Sequence, residues 1–441
     1  MTAGVTTATA SKWGRYGKRP LVVLCLVGLV DAVDRGVLPG VITQVQDDLG
    51  MSDFQAGLLS SAIVVATLLA AVPGGVLADR KDRRYLIALV LLVWSASSAL
   101  SSAVRSFAQL LAVRSTLGVG DALNDPAAQS LVADYYPPEV RGRAYGWQRV
   151  VPTAGVAVGA VVGGGLGSLF GWRVAVLAVA VPGLLVAVLV RRLPLPERGA
   201  GDGPAGEAAP QVAATALGTW GSLRACFAVR SLRALLFATA ITTAALTALG
   251  FWGIAYNERA SGLTAAEAAG VAGGVILLGA VLGGFAGGIA TDRLRGKVDG
   301  APLLLGAATT STGTVLLIVS FNDGIPVYGM RLPLQMVAVA LIVASLPALT
   351  AMTTEVVVPQ LRGTAFGLLK LFANLFAAVT PPLIGVLADG HRVTLADGRT
   401  KGDLGFAFRW TVWTVLLGSV LLLYGRRHVD ADLRRAAGRP D

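Results

Sequence analysis

Charged side chains interrupt several long apolar segments of this chain, and they are the residues best suited to chemistry. One segment contains Asp31, Asp34 and Arg35, at spacings of three and four that place all three near one face of a helix. A second contains Arg114 and Asp121, seven residues apart and again on one face. An unpaired charge at the centre of a bilayer costs about 2.5–3.5 kcal/mol. We therefore expect these groups to face one another or an aqueous cavity, and Asp34, Arg35, Arg114 and Asp121 together suit a proton relay.

Further residues in or at the ends of apolar segments suit the binding of a substrate: Asp31, Asn124, Arg149, Trp252, Tyr256, Lys370 and Asn374. Five of them have an alternative role. Asp31 belongs either to the site or only to an ion pair with Arg35. The arginine and the lysine in this set either bind a substrate headgroup or extend toward the membrane surface. The two aromatic residues either line an exit gate or anchor a helix in the headgroup zone.

The elements that position these residues are long apolar segments. The chain has 441 residues, 54% of them hydrophobic and 14% charged, and its mean hydropathy is +0.67, which excludes a soluble globular protein. About 20 residues of helix cross a hydrocarbon core of about 30 Å. Segments of this kind lie at 20–42, 55–77, 85–104, 107–133, 144–170, 172–190, 232–256, 266–290, 302–321, 325–355, 363–388 and 406–424. They lack the alternation of barrel strands, so we predict an all-α membrane protein with twelve transmembrane helices.

Basic residues are concentrated before the first segment and in alternate connections, which predicts that both termini are cytoplasmic. The net charge of +11 therefore reflects topology, and nucleic acid is not expected as a partner. The first segment is expected to be an uncleaved anchor in the cell (inner or plasma) membrane. Cys25 and Cys226 lie at cytoplasmic edges, where a disulfide is not expected. His391 and His428 lie far apart in loops, so no metal site and no cofactor are predicted.

Two segments from the first half of the chain have copies in the second half. Residues 75–84 have a looser copy at 288–297, and residues 134–146 have a copy at 355–367, with the acid, Pro, Arg-Gly, Ala and Gly at one offset of about 221 residues. A stretch at 193–230 is rich in Gly, Pro and Ala, too polar to span and too weakly patterned to fold alone. We predict a six-helix bundle at 1–192, a cytoplasmic linker at 193–230, a second six-helix bundle at 231–425 and a cytoplasmic tail at 426–441. Glycines every four residues at 155–167 and 279–287 predict close helix packing.

Over essentially its full length the chain resembles the major facilitator superfamily, and residues 75–84 are similar to its signature loop between helices two and three. The resemblance implies that Asp79 caps helix eleven and that Arg83 pairs with Asp134, which together would latch one conformational state. The full set of candidate latch residues is Gly75, Asp79, Arg80, Arg83, Asp134, Arg141, Asp292, Arg293, Glu355 and Arg362. The alternative is that these loop charges only set topology. Asp82 stands where glycine is usual, and a left-handed turn is tolerable for Asp.

Four motifs resemble the Spinster branch of this superfamily: Asp34-Arg35 before Gly36-Val37-Leu38-Pro39, Gly57-Leu58-Leu59-Ser60, Arg114 with Gly118-Val119-Gly120-Asp121-Ala122, and Ala133-Asp134. Members of that branch are lysolipid and sphingolipid transporters. The resemblance implies that Asp34, Arg35 and Asp121 couple transport to protons and that Arg114 holds the acid ionised. In two places the chain departs from the branch: it has Asp121 where Glu is more common, and it has a more polar segment directly after that residue.

The sequence therefore predicts a monomeric, proton-coupled secondary transporter that moves an amphipathic, anionic, lipid-like substrate between two bundles by alternating access. Its partners would be that substrate, protons and membrane lipids. A proton-coupled exporter of drugs or small metabolites is one alternative, and a receptor that does not transport is another. An enzyme is not expected, because neither a His-Glu metal motif nor a Gly-x-Ser-x-Gly elbow occurs in the sequence.

Overall fold

The computed structural model describes residues 13, 15–197, 218–294, 300–322, 325–358, 361–395 and 398–436. Six long helices form the N half: α1 (Arg19–Leu49), α2 (Asp53–Arg80), α3 (Arg83–Ser101), α4 (Phe107–Tyr135), α5 (Pro138–Phe170) and α6 (Trp172–Arg191). A short helix, α7 (Gly218–Ala228), precedes the C half. The C half consists of α8 (Arg230–Ser261), α9 (Ala265–Leu294), α10 (Ala301–Ser320), a π-helix (Val327–Arg331), α11 (Leu332–Glu355), α12 (Arg362–Asp389), strands β1 (Arg392–Thr394) and β2 (Thr400–Gly402), and α13 (Leu404–Ala436).

Three local features differ from the predicted layout. Strands β1 and β2 pair antiparallel between α12 and α13, so the chain is mostly rather than wholly helical. Helix α7 lies in the segment predicted to be an unstructured linker, where Cys226 is completely buried in the core of the C half. Helix α13 continues through the predicted tail because Asp432 is buried and accepts hydrogen bonds from the backbone N–H (2.9 Å) and hydroxyl (2.7 Å) of Ser231.

Ten helices of the described chain are long and apolar enough to cross a membrane. Helices α1 and α4 do not meet this criterion, although they have 31 and 29 residues. They carry the buried charges of Asp34, Arg114 and Asp121, and charged residues lower the hydropathy of both helices. A count of twelve spans, and cytoplasmic termini, therefore stay predictions.

Asp82 caps the first turn of α3. Its φ is −64°, so it does not adopt the left-handed turn that was considered for this position from the sequence. Its carboxylate accepts a hydrogen bond from the backbone N–H of Arg84 (2.9 Å) and forms an ion pair with the Arg84 side chain (2.9 Å). Mainly because of the side-chain hydrogen bond from Arg84, the pKa of Asp82 is below its usual value. Asp is favoured here as a helix cap and not as a substitute for glycine.

Small residues let pairs of helices pack at backbone contact. Helix α1 lies along α5, where a Cβ at Gly159 would come within 2.1 Å of the carbonyl oxygen of Val33. Helix α9 lies along α11, where a Cβ at Gly283 would come within 2.2 Å of the carbonyl oxygen of Ala340. The predicted close packing of both glycine ridges is therefore present, and α1 is held firmly in position by α5.

Candidate functional site

The first element of the site is an ion pair between α1 and α4. Arg114 Nη1 lies 3.1 Å from Asp34 Oδ2, and the two residues are 1% and 6% exposed. The hydroxyl of Ser98 on α3 donates a hydrogen bond to the other oxygen of Asp34. Nε and Nη2 of Arg114 have no hydrogen-bond partner within the described chain. Arg114 is thus a buried cation with unused donors.

A second ion pair joins the same two helices in the opposite sense. Arg35 Nη2 of α1 lies 2.5 Å from Asp121 Oδ1 of α4, and Arg35 Nε lies 3.0 Å from Asp31 Oδ1. The side chain of Arg35 is 41% exposed, whereas that of Asp121 is 7% exposed. Thr67 of α2 lies 3.4 Å from the second oxygen of Asp121. Arg35 therefore connects two carboxylates and can be reached from solvent.

The two arginines and three aspartates form one cluster, which we call the α1–α4 cluster: Asp31, Asp34, Arg35, Arg114 and Asp121. Three carboxylates face two guanidiniums, so one negative charge is in excess when every group is ionised. Asp31 and Asp121 share Arg35. This arrangement can take up a proton, because protonation of either Asp31 or Asp121 removes the excess negative charge and leaves Arg35 paired with the other carboxylate.

The crossed pairing was not predicted. The family resemblance implied that Arg114 holds the acid ionised, without assigning the pairs; in the structure Arg114 pairs with Asp34, and Asp121 pairs with Arg35. Ser98 was also missed. Its signal was the group of three serines at 95, 97 and 98 in a largely apolar helix.

The other predicted binding residues are spread over both halves. Lys370 Nζ of α12 lies 3.5 Å from Asp125 Oδ2 of α4, and both side chains are more than half exposed, so this pair links the halves at an open surface. Asn374 is half-buried one turn further along α12. Asn124 is buried, and its Oδ1 has no hydrogen-bond partner within the described chain. The side chain of Arg149 lies outside the described residues.

The two aromatic candidates are buried in the C half, and Tyr256 also borders a cavity at the hairpin end. Trp252 is completely buried and donates a hydrogen bond from Nε1 to the carbonyl oxygen of Pro381 (2.9 Å). Tyr256 is 1% exposed and makes edge contacts with the stacked rings of Phe321 and Phe408. In this structure both residues pack in the core, Trp252 against α12 and Tyr256 against Phe321 and Phe408.

The expected ion pair between Arg83 and Asp134 is present, and Arg83 also donates a hydrogen bond to Ser130 (2.7 Å). Arg141 donates hydrogen bonds to the carbonyl oxygens of Ala133 (2.8 Å) and Tyr136 (3.2 Å) at the end of α4. Of the remaining latch candidates, three are exposed (Asp292, Arg293, Arg362) and one is half-buried (Glu355). Gly75 and the side chains of Asp79 and Arg80 lie outside what the structure describes. The expected cap by Asp79 on the eleventh predicted span, which is α12 here, therefore stays a prediction.

The two halves are sealed at the end that carries the β1–β2 hairpin, which we call the hairpin end. Asp53 of α2 and Arg259 of α8 form an ion pair (Nη2 to Oδ1, 2.6 Å) whose side chains are 3% and 4% exposed. Gln46 of α1 accepts a hydrogen bond from Arg259 Nη2 (3.0 Å) and donates one to Asp53 (2.7 Å). The carboxylate of Asp389 accepts hydrogen bonds from the backbone N–H groups of Asp53 (3.1 Å) and Phe54 (2.9 Å).

The seal continues into the membrane interior along α2 and α12, and the hairpin adds to it. A Cβ at Gly57 would come within 2.6 Å of the carbonyl oxygen of Pro381. The hydroxyl of Ser61 donates a hydrogen bond to the carbonyl oxygen of Ala378. The hairpin is held to α1 by ion pairs from Arg399 and Lys401 to Asp47. The role of these residues in a seal was not predicted, because their pairing joins distant parts of the chain.

At the opposite end, where α1 begins and α13 ends, the described residues leave the two halves open, and only exposed side chains such as Lys370 and Asp125 link them there. On α5, Trp147 and Val150 are 54% and 57% exposed, and on α12 Phe366 and Lys370 are exposed. A Cβ at Gly146 or Gly367 would meet no atom within 4 Å. Within the described part of the chain, the exposed faces of α5 and α12 therefore border a space that is closed at the hairpin end.

Two helical halves that are sealed at one end and contain buried ion pairs are typical of a membrane transporter. The chain belongs to the Major Facilitator Superfamily, whose profile matches residues 24–345. It is thus a multi-pass membrane protein, and within that superfamily it is similar to Spinster proteins.

Protein spinster of Drosophila melanogaster is 27% identical over 202 residues, which are 46% of this chain and 33% of that protein. The sphingosine-1-phosphate transporter SPNS2 of Mus musculus is 25% identical over 91% of this chain and 75% of its own length. Among solved structures, a bacterial homologue of the human lysosomal transporter Spinster, inward-facing and unoccupied, has a TM-score of 0.79 at 22% identity. The match covers 97% of this chain and all of that one, and at this identity it shows the fold alone.

Proposed function

We propose that this protein is a proton-coupled secondary transporter of an amphipathic lipid of the lysophospholipid or sphingolipid type, and that it works by alternating access. We further propose that it crosses the membrane twelve times, with both termini in the cytoplasm. The open end then faces the cytoplasm and the sealed hairpin end faces the outside.

The observation that carries the proton coupling is the shared guanidinium of Arg35. It lies 2.5 Å from Asp121 and 3.0 Å from Asp31, so the two acids compete for one counter-charge. Protonation of Asp121 would release Arg35 to Asp31 and weaken the link between α1 and α4. A proton that crosses 100 mV supplies about 2.3 kcal/mol, enough to bias a nearly balanced pair of states.

The location of the cluster supports coupling to substrate. Arg35 is partly exposed, and Lys370 lies at an exposed surface between the halves. Both are cations that could attract a phosphate or carboxylate headgroup. Arg114 has two unused donors and could take a new acceptor in another state. The sphingosine-1-phosphate transporter among the relatives supports a lipid with such a headgroup.

The proposal is tested with the purified protein in proteoliposomes, by following a fluorescent lysophospholipid, sphingosine-1-phosphate and a cationic dye with and without a pH gradient. We expect the lipids to be moved faster with the gradient. Asp121→Asn should lower the gradient-driven rate by about tenfold or more and leave exchange at equal pH nearly unchanged. The matched control is Asp430→Asn, an exposed acid near the end of α13, which should behave as the parent protein does.

The outcomes separate the alternatives. If only the cationic dye is moved and its gradient-driven transport requires Asp121, the protein is a drug exporter and the lipid proposal is wrong. If ligands bind but none is moved under any gradient, the protein is a receptor, and both the lipid-transporter and the drug-exporter proposals are wrong.

A further inference from the structure

The C half contains a cavity of about 560 Å³ between α8, α12 and α13. Its inner wall is formed by Ile241, Ala244, Ala245 and Ala248 of α8, and further walls come from apolar residues of α12 and α13. The volume lies in the range of ligand pockets, about 300–1,000 Å³. All of the residues that line the cavity belong to the C half, so it is distinct from the α1–α4 cluster.

The walls of the cavity offer almost no polar partner. The hydroxyl of Thr380 donates to the carbonyl oxygen of Phe376 (2.8 Å), that of Thr411 to Ala407 (2.8 Å), and that of Thr414 to Thr411 (2.6 Å). The remaining lining residues are aliphatic or phenylalanine. Because each threonine hydroxyl is already bonded to its own helix, a ligand would meet methyl groups and rings, and the cavity suits hydrocarbon.

The mouth of the cavity lies between α12 and α13, where exposed Leu375, Val379 and Leu383 face exposed Leu417. Helix α13 packs on α8, α10 and α12. It also carries further exposed apolar side chains at Trp410, Trp413, Val420 and Leu423. In a membrane-spanning helix such a surface contacts lipid, so the medium at the mouth is the hydrocarbon of the bilayer.

We propose that this cavity, the α8–α12–α13 cavity, binds one hydrocarbon chain of a bilayer lipid that enters between α12 and α13. A chain in the cavity restores the van der Waals contacts that its walls otherwise lack. It also touches α12 on the side opposite the seal, because Val379 and Thr380 line the cavity while Ala378 and Pro381 contact α2. The bound lipid is therefore a structural support for the helix that closes the hairpin end.

The test uses the full chain in nanodiscs that contain a phosphatidylcholine with a diazirine at the middle of one acyl chain. After irradiation, adducts are located by peptide mass spectrometry. We expect adducts on the α8 peptide that contains residues 241–249, which lies behind the lipid-facing surface. Ala245→Phe should lower this labelling by about tenfold, because the ring occupies the space of the chain, and Ala245→Leu should lower it less. Ala178→Phe, at an exposed alanine of α6, is the matched control and should not change it.

Labelling restricted to exposed residues of α13, or α8 labelling that Ala245→Phe does not lower, would overturn the proposal. So would loss of α8 labelling on addition of excess lysophospholipid but not of excess unlabelled phosphatidylcholine, since the cavity would then belong to the transported substrate. If Ala245→Phe does not fold, Ala245→Leu alone decides the result. Because labelling requires no transport, this outcome is independent of the proposed proton coupling.

Discussion

Arg114 and Asp34 form a buried ion pair between α4 and α1, 80 residues apart in the chain, while their neighbours Asp121 and Arg35 form a second pair with the charges exchanged between the helices. Each helix thus contributes one acid and one base to its partner. The attraction between α1 and α4 depends on the protonation of both acids. This crossed arrangement is the basis of the first prediction.

Arg114→Leu should be strongly destabilising, because it leaves the buried carboxylate of Asp34 without its counter-charge. Loss of one partner of a buried pair costs about 3–5 kcal/mol. The double variant Asp34→Asn, Arg114→Leu should recover much of the loss, since no charge then stays unpaired. Thermal unfolding in detergent compares the three proteins. Equal destabilisation by the single and double variants would contradict this account of the pair.

The Asp53–Arg259 pair should hold the hairpin end closed. Its side chains are almost completely buried and belong to different halves, so Arg259→Gln should shift the protein toward a state that is open at the hairpin end. The shift is read from a cysteine at Ser61, which lies in the inner part of the seal, in a background with Cys25 and Cys226 replaced by serine. A membrane-impermeant maleimide should label it faster by about tenfold or more.

The control for that variant is Arg399→Gln, which weakens an exposed ion pair to Asp47. Exposed pairs contribute only about 0–1 kcal/mol, so labelling at Ser61→Cys should change little. If both variants open the hairpin end to the same degree, the buried pair has no special role.

Gly57→Ala should also open the hairpin end, by steric means. The added methyl group would lie within 2.6 Å of the backbone of Pro381 and Pro382, which cannot yield as a flexible side chain would. The same cysteine at Ser61 reports the opening. Gly284→Ala on α9, where a Cβ meets no atom within 4 Å, supplies the control. Unchanged labelling in Gly57→Ala would show that α2 and α12 are not in close contact in the membrane.

Asp82→Ala should destabilise the start of α3 by about 0.5–2 kcal/mol, the usual cost of a lost helix cap, and Asp82→Asn by less. Because folding lowers the pKa of Asp82, the charged cap contributes fully above the usual aspartate pKa of about 3.9. Its contribution is lost as the pH falls through the lower, folded-state pKa. Thermal unfolding between pH 5 and 8 should therefore show the same difference between parent and Asp82→Ala, and a difference that shrinks in this range would contradict the assignment.

The sequence by itself determined that the chain is a helical membrane protein built from two similar halves. Apolar segments of spanning length and a repeat at one offset suffice for that conclusion, because in lipid the backbone must satisfy its hydrogen bonds within helices or closed barrels. The charges at Asp34, Arg35, Arg114 and Asp121 were identified for the same reason: a buried charge is costly and must have a partner. The pair between Arg83 and Asp134 was expected from the family resemblance and is present.

The tertiary structure alone decided which charges meet. Spacing places side chains on one face of a helix, but the rotation of α1 against α4, set by the glycine contacts between α1 and α5, selects Asp34 for Arg114 and Asp121 for Arg35. The seal of Asp53, Arg259 and Gln46 joins residues more than 200 positions apart, and no local pattern encodes it. Long-range ion pairs depend on how whole helices pack, and this packing is a property of the folded chain.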